Sequence, residues 1–170
     1  MQLLSCLNDW TSCLDVNVPV DVCYFDVAKA FDTVCHPLLL AKLEAFFGIS
    51  GSLLGWIRAW LSSRKQFVSV GDSFSSYADV SSGVPQGSVL GPILFVLFIN
   101  DLPSCVRFSK IFLFADDVKL YLQVKSDADF DQLQSDILTV PTWFSDNLLS
   151  VAAPKCKIFH LCSRFNLQYQ

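Results

Sequence analysis

The sequence predicts an α+β fold in which helices pack on one face of an antiparallel sheet. Two observations predict it. Segments rich in β-branched and aromatic residues alternate with helical stretches in the order strand, helices, hairpin, helix, hairpin, helix, strand. The connections between these segments are short, and a chain of 170 residues is long enough to bury one core. We therefore predict a single domain over residues 1–170.

The first half of the chain should supply one strand and three helices. Val, Tyr and Phe cluster before Asp26, which is typical of a strand. One helix should begin at Pro37 and stop at Gly48, because proline favours the first helical position and glycine the helix end. The predicted bounds are 2–14 for a short first helix, 18–27 for the strand, and 37–47 and 52–63 for the next two helices.

The second half should contain two hairpins, two helices and a last strand. Gly71-Asp72-Ser73 separates two β-rich segments, and Asp116-Asp117 separates two others, which indicates tight hairpins. Pro141 lies inside a long helical pattern and should kink or break that helix. The predicted bounds are 65–70 and 74–80 for the first hairpin, 82–88 for a loop, 89–102 for a buried helix, 111–115 and 118–124 for the second hairpin, 127–148 for the last helix and 157–162 for the last strand.

Composition and charge exclude several classes of protein. Hydrophobic residues make up 52% of the chain and charged residues 16%, which excludes intrinsic disorder. The longest apolar run, residues 93–99, is too short to cross a membrane, so we expect no membrane span. Seven cysteines without a C-x-x-C pair indicate reduced thiols in an intracellular protein. A net charge of −4 argues by itself against nucleic-acid binding.

Three aspartates stand at the ends of predicted strands. Asp116 and Asp117 form the expected tip of the second hairpin, and Asp26 ends the first strand. Close carboxylates repel each other at neutral pH, and a bound Mg²⁺ relieves that repulsion while keeping coordination positions for water and phosphate. If the two strands are neighbours, the three acids converge and can hold two metal ions about 4 Å apart for phosphoryl transfer. The alternative is that an acidic pair only solvates a turn.

Four segments resemble, in order and spacing, the reverse transcriptase domain of non-LTR (LINE-type) retrotransposons. They are Phe-Asp-Val-Ala-Lys-Ala-Phe-Asp-Thr-Val-Cys-His at 25–36, Ser-Gly-Val-Pro-Gln-Gly-Ser-Val-Leu-Gly-Pro at 82–92, Phe-Ile-Asn-Asp-Leu at 98–102 and Phe-Ala-Asp-Asp at 114–117. The resemblance runs over about residues 22–162 and implies the palm of an RNA-directed DNA polymerase. Such a palm joins deoxynucleotides (dNTPs) to the 3′-hydroxyl of a DNA primer on an RNA template, with two Mg²⁺ ions or with Mn²⁺.

The resemblance also implies roles for individual residues. These are Asp26, Asp116 and Asp117 as catalytic metal ligands, the carbonyl of Val27 beside the metal, Lys155 as a charge donor or general acid near the triphosphate, Phe31 as a steric gate against the ribose 2′-hydroxyl, and Gln86 and Gly87 as contacts to the incoming nucleotide and template. An ordinary core phenylalanine and a solvated loop lysine are the alternatives for Phe31 and Lys155. Asp32 is expected to have a supporting or structural role, and His36 to begin a helix.

The resemblance sets expectations for the whole molecule as well. The fingers that precede a palm and the thumb that follows it are largely missing, so we expect this chain alone to be weakly active or inactive, with little or no processive synthesis, and to need a larger polyprotein. Family members act at chromosomal DNA after cytoplasmic synthesis, which implies the nucleus and the cytoplasm. Two other functions stay open: a non-catalytic relic or interaction module that keeps the palm shape, and another palm-type nucleotidyl transferase such as a cyclase.

Overall fold

The computed structural model describes residues 2–162 and Tyr169. The described helices are α1 (Gln2–Asp15), α2 (Ala30–Thr33), α3 (His36–Phe47), α4 (Gly51–Ser62), α5 (Leu90–Ile99) and α6 (Asp127–Asp146). The described strands are β1 (Val20–Phe25), β2 (Lys65–Gln66), β3 (Ser69–Val70), β4 (Ser73–Phe74), β5 (Ala78–Asp79), β6 (Lys110–Phe114), β7 (Asp117–Gln123) and β8 (Lys157–Leu161). Short 3₁₀ turns cover Leu102–Cys105 and Ala153–Lys155. Each helix and strand predicted from the sequence has a counterpart among them.

The chain divides into two compact units. The first unit combines the chain up to Ala28 with the chain from Asn100 onward, and the second unit is Lys29–Ile99. Along the sequence, the second unit is therefore an insertion between β1 and the other strands of the first unit. The prediction of one domain over residues 1–170 stays a prediction.

A four-stranded antiparallel sheet forms the centre of the first unit, in the order β6-β7-β1-β8. β1 pairs with β7 on one side and with β8 on the other, and five of its six residues are buried. Burial on both faces explains why its sequence is a nearly continuous apolar run rather than an alternating one. The predicted α+β class with an antiparallel sheet is confirmed, and β1 and β7 are neighbours.

Helix α1 covers one face of this sheet. It contributes to a buried cluster whose members are Cys6, Trp10, Cys13, Val20, Val22 and Tyr121. The rings of Trp10 and Tyr121 meet edge to face, with centroids 5.7 Å apart. The carboxylate of Asp9 accepts hydrogen bonds from Lys110 Nζ at 2.6 Å and from Tyr121 Oη at 2.7 Å. These two hydrogen bonds lower the pKa of Asp9, so α1 is held to the sheet by charge as well as by apolar contact.

Helix α6 lies on the opposite face. Asp21 alternates with Val20 and Val22 along β1, so its side chain faces away from α1. The Asp21 carboxylate accepts a hydrogen bond from Tyr169 Oη. The Tyr169 ring contacts the ring of Phe130 in α6, with centroids 4.5 Å apart. Helices thus cover both faces of the sheet rather than the single face expected, because a central strand buried on both faces needs cover on both.

Helix α6 begins with a capping box and continues through Pro141. Ser126 Oγ accepts a hydrogen bond from the Asp129 N–H, and the Asp129 carboxylate accepts one from the Ser126 N–H at 2.9 Å. Of the expected kink or break at Pro141, the break is not present in the described chain, since the helix is continuous from Asp127 to Asp146, and the kink stays a prediction. Buried side chains lie on both sides of the proline, and their packing keeps both halves helical despite the missing hydrogen bond.

Replacing Ser126 by Ala should lower the free energy of unfolding by about 1 kcal/mol, because the N-cap hydrogen bond from the Asp129 N–H is lost. Urea denaturation followed by circular dichroism measures the change. Ser135→Ala, at an exposed position of the same helix, is the matched control and should change stability by less than about 0.5 kcal/mol. Equal stability of Ser126→Ala and the wild type would contradict the capping assignment.

The second unit contains helices α3, α4 and α5 and an exposed β-ribbon. Helix α3 ends at Gly48, whose left-handed φ of +65° and backbone hydrogen bonds to Leu43 and Glu44 match the predicted stop. The predicted hairpin is present as two short ladders, β3 with β4 and β2 with β5, and all of their residues are exposed. The buried side chains of this unit include Leu39, Leu43, Leu61, Phe95 and Phe98.

Candidate active site

Asp26 follows directly on the last residue of the central strand β1. Phe25 pairs with Val118 of β7. This is the last pair of the ladder, and one further step along the same register would set Asp26 opposite Asp117. Directly opposite residues of an antiparallel pair project from the same face, with Cβ atoms about 5 Å apart. Both carboxylates thus stand at the same end of two neighbouring strands, and the Asp26 side chain keeps 38% of its surface exposed.

The hairpin that carries the other acids turns one residue earlier than predicted. Phe114 pairs with Asp117, so Ala115 and Asp116 form the two-residue turn and Asp117 is the first residue of β7. The prediction that Asp116-Asp117 is the tip is wrong by one residue, because the ladder extends as far as Asp117. Ala115 has a φ of +51°, a left-handed conformation that costs a residue with a Cβ about 1–2 kcal/mol.

Backbone pairing brings Lys155 to Asp26. The Ala152 N–H donates a hydrogen bond to the Asp26 carbonyl at 2.8 Å, and Val27 forms an isolated β-bridge with Val151. The 3₁₀ turn that follows places Lys155 Nζ 3.4 Å from Asp26 Oδ1 and 3.5 Å from Asp26 Oδ2. Two residues that the sequence analysis assigned to one site are thus in contact, although they are far apart in the chain.

The donor set at this end of the sheet suits a hard divalent cation. Carboxylate oxygens are the side-chain ligands that Mg²⁺ prefers, and it usually takes only one or two of them, with water and substrate phosphate completing its shell. Asp26 and Asp117 supply such a pair. Within residues 2–162 and Tyr169, no three His, Cys, Asp or Glu side chains are grouped so that they could hold a metal ion. The expected three-carboxylate cluster is therefore not formed in this structure, and the assignment of metal ligands stays a prediction.

Three of the predicted site residues, Phe31, Gln86 and Gly87, lie in the second unit. The half-buried Phe31 ring stacks on the buried Phe95 ring, with centroids 4.5 Å and planes 22° apart. This contact fits a core residue, and the exposed part of the ring leaves the gate interpretation open. Gln86 and Gly87 are exposed in a turn, and the φ of +79° at Gly87 favours glycine there.

Sequence analysis missed the way in which Gln86 is held. Gln86 Nε2 donates a hydrogen bond to Asp32 Oδ1 at 3.1 Å. The Gly83 carbonyl contacts His36 Nε2 at 2.8 Å and accepts a hydrogen bond from Arg64 Nη2 at 2.5 Å. A Cβ on Gly83 would lie 2.6 Å from the Asp32 carbonyl oxygen, so only glycine fits between these two backbone segments. The glycine at position 83 is the sequence feature that indicates this close approach of the loop to the Asp32 backbone. His36 begins α3, as predicted.

All seven cysteines are free thiols, and three of them are buried. Burial raises the pKa of the Cys23 thiol to about 12, so it stays protonated and unreactive at neutral pH. Burial raises the pKa of Cys6 and of Cys105 as well. Helices long and apolar enough to cross a membrane are absent from the described part of the chain.

Known proteins share both the sequence pattern and the fold. Residues 21–168 match the family model described as reverse transcriptase (RNA-dependent DNA polymerase). The chain is 33% identical over 141 residues to the RNA-directed DNA polymerase from mobile element jockey of Drosophila melanogaster, and the match covers 78% of this chain and 15% of that protein. It is 28% identical over 150 residues to the retrovirus-related Pol polyprotein from type-1 retrotransposable element R2 of Popillia japonica, covering 80% of this chain and 23% of that one. The chain therefore spans between 15% and 23% of the length of these relatives.

Solved structures with this fold include telomerases. Apo telomerase from Candida tropicalis, truncated from its C-terminal domain, matches with a TM-score of 0.68 and 12% identity, covering 91% of this chain and 34% of that chain. Telomerase from Candida albicans in complex with a TWJ fragment of telomeric RNA matches with a TM-score of 0.65 and 16% identity, covering 89% and 30%. At such identities the likeness establishes the fold, and the family model covers most of the sequence. The chain accordingly belongs to the reverse transcriptase (RNA-dependent DNA polymerase) family.

Proposed function

We propose that this chain is the palm of a non-LTR retrotransposon RNA-directed DNA polymerase, which adds dNTPs to a primer 3′-hydroxyl by two-metal nucleotidyl transfer. The observation that carries the proposal is the position of Asp26 just past the last pair between β1 and β7 and of Asp117 just before it. Both carboxylates stand at the same end of adjacent strands, with Asp116 in the turn that precedes Asp117. The family match and the mobile-element relatives support the same function.

The carboxylates Asp26, Asp116 and Asp117 would hold two Mg²⁺ ions, or Mn²⁺ in their place, with the Val27 carbonyl as a further oxygen ligand. When bound, the ions activate the primer 3′-hydroxyl and neutralise the charge that develops on the triphosphate. The protein's own contribution is position and charge. Asp26 and Asp117 stand at the end of two hydrogen-bonded strands, which would hold the reacting groups in position.

Lys155 is proposed to act on the triphosphate. Its ammonium group is paired with Asp26, but 69% of the side chain is exposed, and such surface ion pairs contribute only about 0–1 kcal/mol. The ammonium group can therefore leave Asp26 for a phosphate oxygen at little cost. There it would supply positive charge or a proton to the leaving pyrophosphate.

The proposed roles in the second unit concern the choice of nucleotide. Phe31 would exclude ribonucleotides by occupying the place of a 2′-hydroxyl, which is the group that separates the two sugars. Stacking on Phe95 fixes the ring and supports this role, since a fixed ring cannot turn aside. Gln86 and Gly87 would contact the incoming nucleotide and the template.

The negative net charge of the chain affects how strongly it can bind nucleic acid. The net charge of −4 does not favour tight binding to phosphate backbones. Tyr24 lies two residues before Asp26, and its partners on the neighbouring strands are Lys119 and Lys157. These two lysines bring positive charge close to the carboxylates. We propose an RNA template, a DNA primer and dNTPs as partners, with fingers, thumb and further basic surface supplied by a larger polyprotein. The nucleus and the cytoplasm are the proposed compartments.

Primer extension tests the proposed function. With an RNA template, an annealed DNA primer, Mg²⁺ and dNTPs, the chain should add one or a few nucleotides, and it should reject NTPs. Phe31→Ala should admit NTPs, and unchanged exclusion of NTPs would remove the gate role. A cyclase-type transferase would instead consume NTPs without a template. No addition on RNA or DNA templates, with Mg²⁺ or Mn²⁺, would overturn the proposal for this chain.

Calorimetric titration should detect Mg²⁺ binding that Asp116→Asn weakens by at least about tenfold, because a charged ligand becomes neutral. Lys155→Met should strengthen the same binding, since the ammonium group no longer competes for Asp26. Asp72→Asn, in an exposed turn of the ribbon, is the charge-matched control and should bind Mg²⁺ like the wild type. If the wild type binds neither Mg²⁺ nor Mn²⁺, or if Asp116→Asn binds equally well, the metal site fails and the non-catalytic relic is favoured.

A further inference from the structure

Asp32 and Gln86 form a polar pair within the second unit. Gln86 Nε2 lies 3.1 Å from Asp32 Oδ1, and both residues are exposed. They line a groove of about 630 Å³ together with the basic residues Lys29 and Arg64. A ligand in this groove can therefore reach the Gln86 amide directly.

The backbone holds both members of the pair in place. The Asp32 carbonyl accepts a hydrogen bond from Ser82 Oγ at 2.9 Å. Gly83 then seats the loop against the Asp32 backbone, at a distance that leaves no room for a Cβ. Gln86 lies in the following turn, where the Pro85 carbonyl accepts a backbone hydrogen bond at 3.3 Å. The separation of the two side chains is thus set by the fold and not by a chance meeting of two mobile groups.

The chemistry of the pair fixes the orientation of the amide. An ionised carboxylate accepts hydrogen bonds and donates none, whereas a glutamine amide has a donor end and an acceptor end. Facing Asp32, the Gln86 amide turns its NH₂ group to the carboxylate, and its Oε1 atom therefore points away from it. The acceptor end is left for a ligand.

We propose that Asp32 is a positioning residue, which fixes the Gln86 amide so that its carbonyl oxygen accepts a hydrogen bond from a sugar hydroxyl of the bound nucleotide or template. Because the Gln86 Oε1 atom is an acceptor, it needs a donor, which a hydroxyl group supplies and an ionised phosphate backbone does not. The inference rests on the proposed function, because it names the group that Gln86 recognises. Two sources supply such a donor: the 3′-hydroxyl of the incoming dNTP and the 2′-hydroxyl of an RNA template.

A double-mutant cycle tests the positioning role without chemistry. The complex of the chain with an RNA template and a dideoxy-terminated DNA primer is titrated with dNTP in Mg²⁺, and the dissociation constant is measured by fluorescence. Asp32→Ala should raise the dissociation constant by about five- to tenfold, and Gln86→Met by a similar factor. In the Gln86→Met background, Asp32→Ala should have less than about a twofold effect, because it acts only through Gln86. Independent, multiplying effects would overturn the proposal.

Matched variants and ligands identify the hydroxyl. Asp32→Asn has a side-chain amide that can face either end of the Gln86 amide, so it should raise the dissociation constant for dNTP less than Asp32→Ala does. Asp72→Asn should leave that dissociation constant unchanged. If the 3′-hydroxyl is the donor, the Asp32→Ala effect disappears with a 2′,3′-dideoxynucleotide. If the template 2′-hydroxyl is the donor, the effect disappears on a DNA template. An effect that persists with both substitutions would overturn the assignment of a sugar hydroxyl.

A spectroscopic readout separates failure of this inference from failure of the proposed function. In the free chain, the side-chain NH₂ resonances of Gln86 should show one proton shifted downfield by the carboxylate, and Asp32→Ala should remove that shift. If the wild type extends no primer but shows the shift, the proposed function fails while the fixed amide stands. If the wild-type and Asp32→Ala resonances are the same, the amide is not fixed and the inference is overturned, whatever the polymerase assay gives.

Discussion

Asp26→Asn should reduce the rate of Mg²⁺-dependent nucleotide addition by about 10³-fold or more, because a neutral amide replaces one carboxylate of the pair with Asp117. A factor of that size corresponds to about 4 kcal/mol in the activation barrier, which is within the range that loss of one electrostatic contact to the reacting groups costs. Single-turnover addition of one dNTP to an annealed primer measures the rate. Asp117→Asn should also reduce the rate of nucleotide addition.

The asparagine variant is a fair test because it should not disturb the fold. Asparagine has nearly the same size, and the hydrogen bond from the Ala152 N–H goes to the backbone carbonyl of residue 26, which the substitution keeps. Circular dichroism should therefore match the wild type, and Asp72→Asn should keep the wild-type rate. A rate within tenfold of wild type for Asp26→Asn would remove this residue from the chemistry.

Asp136→Ala should lower the free energy of unfolding by about 3–5 kcal/mol, a large part of the stability of a typical domain. The Asp136 side chain is 2% exposed, and its carboxylate accepts hydrogen bonds from three consecutive backbone N–H groups. They are those of Arg107 at 3.1 Å, Phe108 at 3.0 Å and Ser109 at 2.7 Å. Alanine would remove three hydrogen bonds to a charged acceptor, and such bonds contribute about 1.5–3 kcal/mol each before water replaces part of them. Urea denaturation measures the loss.

Two further variants check the physical cause. Asp136→Asn keeps one carbonyl oxygen but turns a donor toward the other N–H groups, so it should cost less than alanine and more than about 1 kcal/mol. Asp131→Ala, on the exposed side of the same helix, is the control and should be close to neutral. A loss below about 1 kcal/mol for Asp136→Ala would show that water replaces the carboxylate without penalty. Since residues 107–109 lead directly into β6, the same variant should also loosen the hairpin that carries Asp116 and Asp117.

Local patterns in the sequence were sufficient to predict most of the elements. Pro37 and Gly48 marked the ends of α3, and the strand before Asp26 was evident from its β-branched and aromatic residues. Each of these signals depends on the preferences of a few neighbouring residues. The carboxylates at strand ends were likewise visible, because a strand, an acid and a turn follow one another directly in the chain.

Features set by pairing between distant segments could not be predicted in the same way. Asp116 and Asp117 are equally suited to a turn, and only the ladder partner Phe114 decides that Asp117 belongs to β7. The break expected at Pro141 is overridden by packing that the local pattern does not contain. Nothing near Asp136 in sequence indicates that it binds backbone groups 27 to 29 residues earlier.

The order of the pieces along the chain has a consequence for how the protein folds. Strand β1 is made before its partners β7 and β8, and Val20 pairs with Gln123 and Leu161, so both of its ladders close loops of about a hundred residues or more. Contacts of that kind slow folding, whereas the second unit, Lys29–Ile99, is one continuous stretch and can form from nearer contacts. During synthesis the apolar side chains of β1 stay unpaired and open to aggregation until β7 has been made, and one edge of the strand stays open until β8 follows. The strand at the centre of the finished sheet is thus the last to gain both of its neighbours.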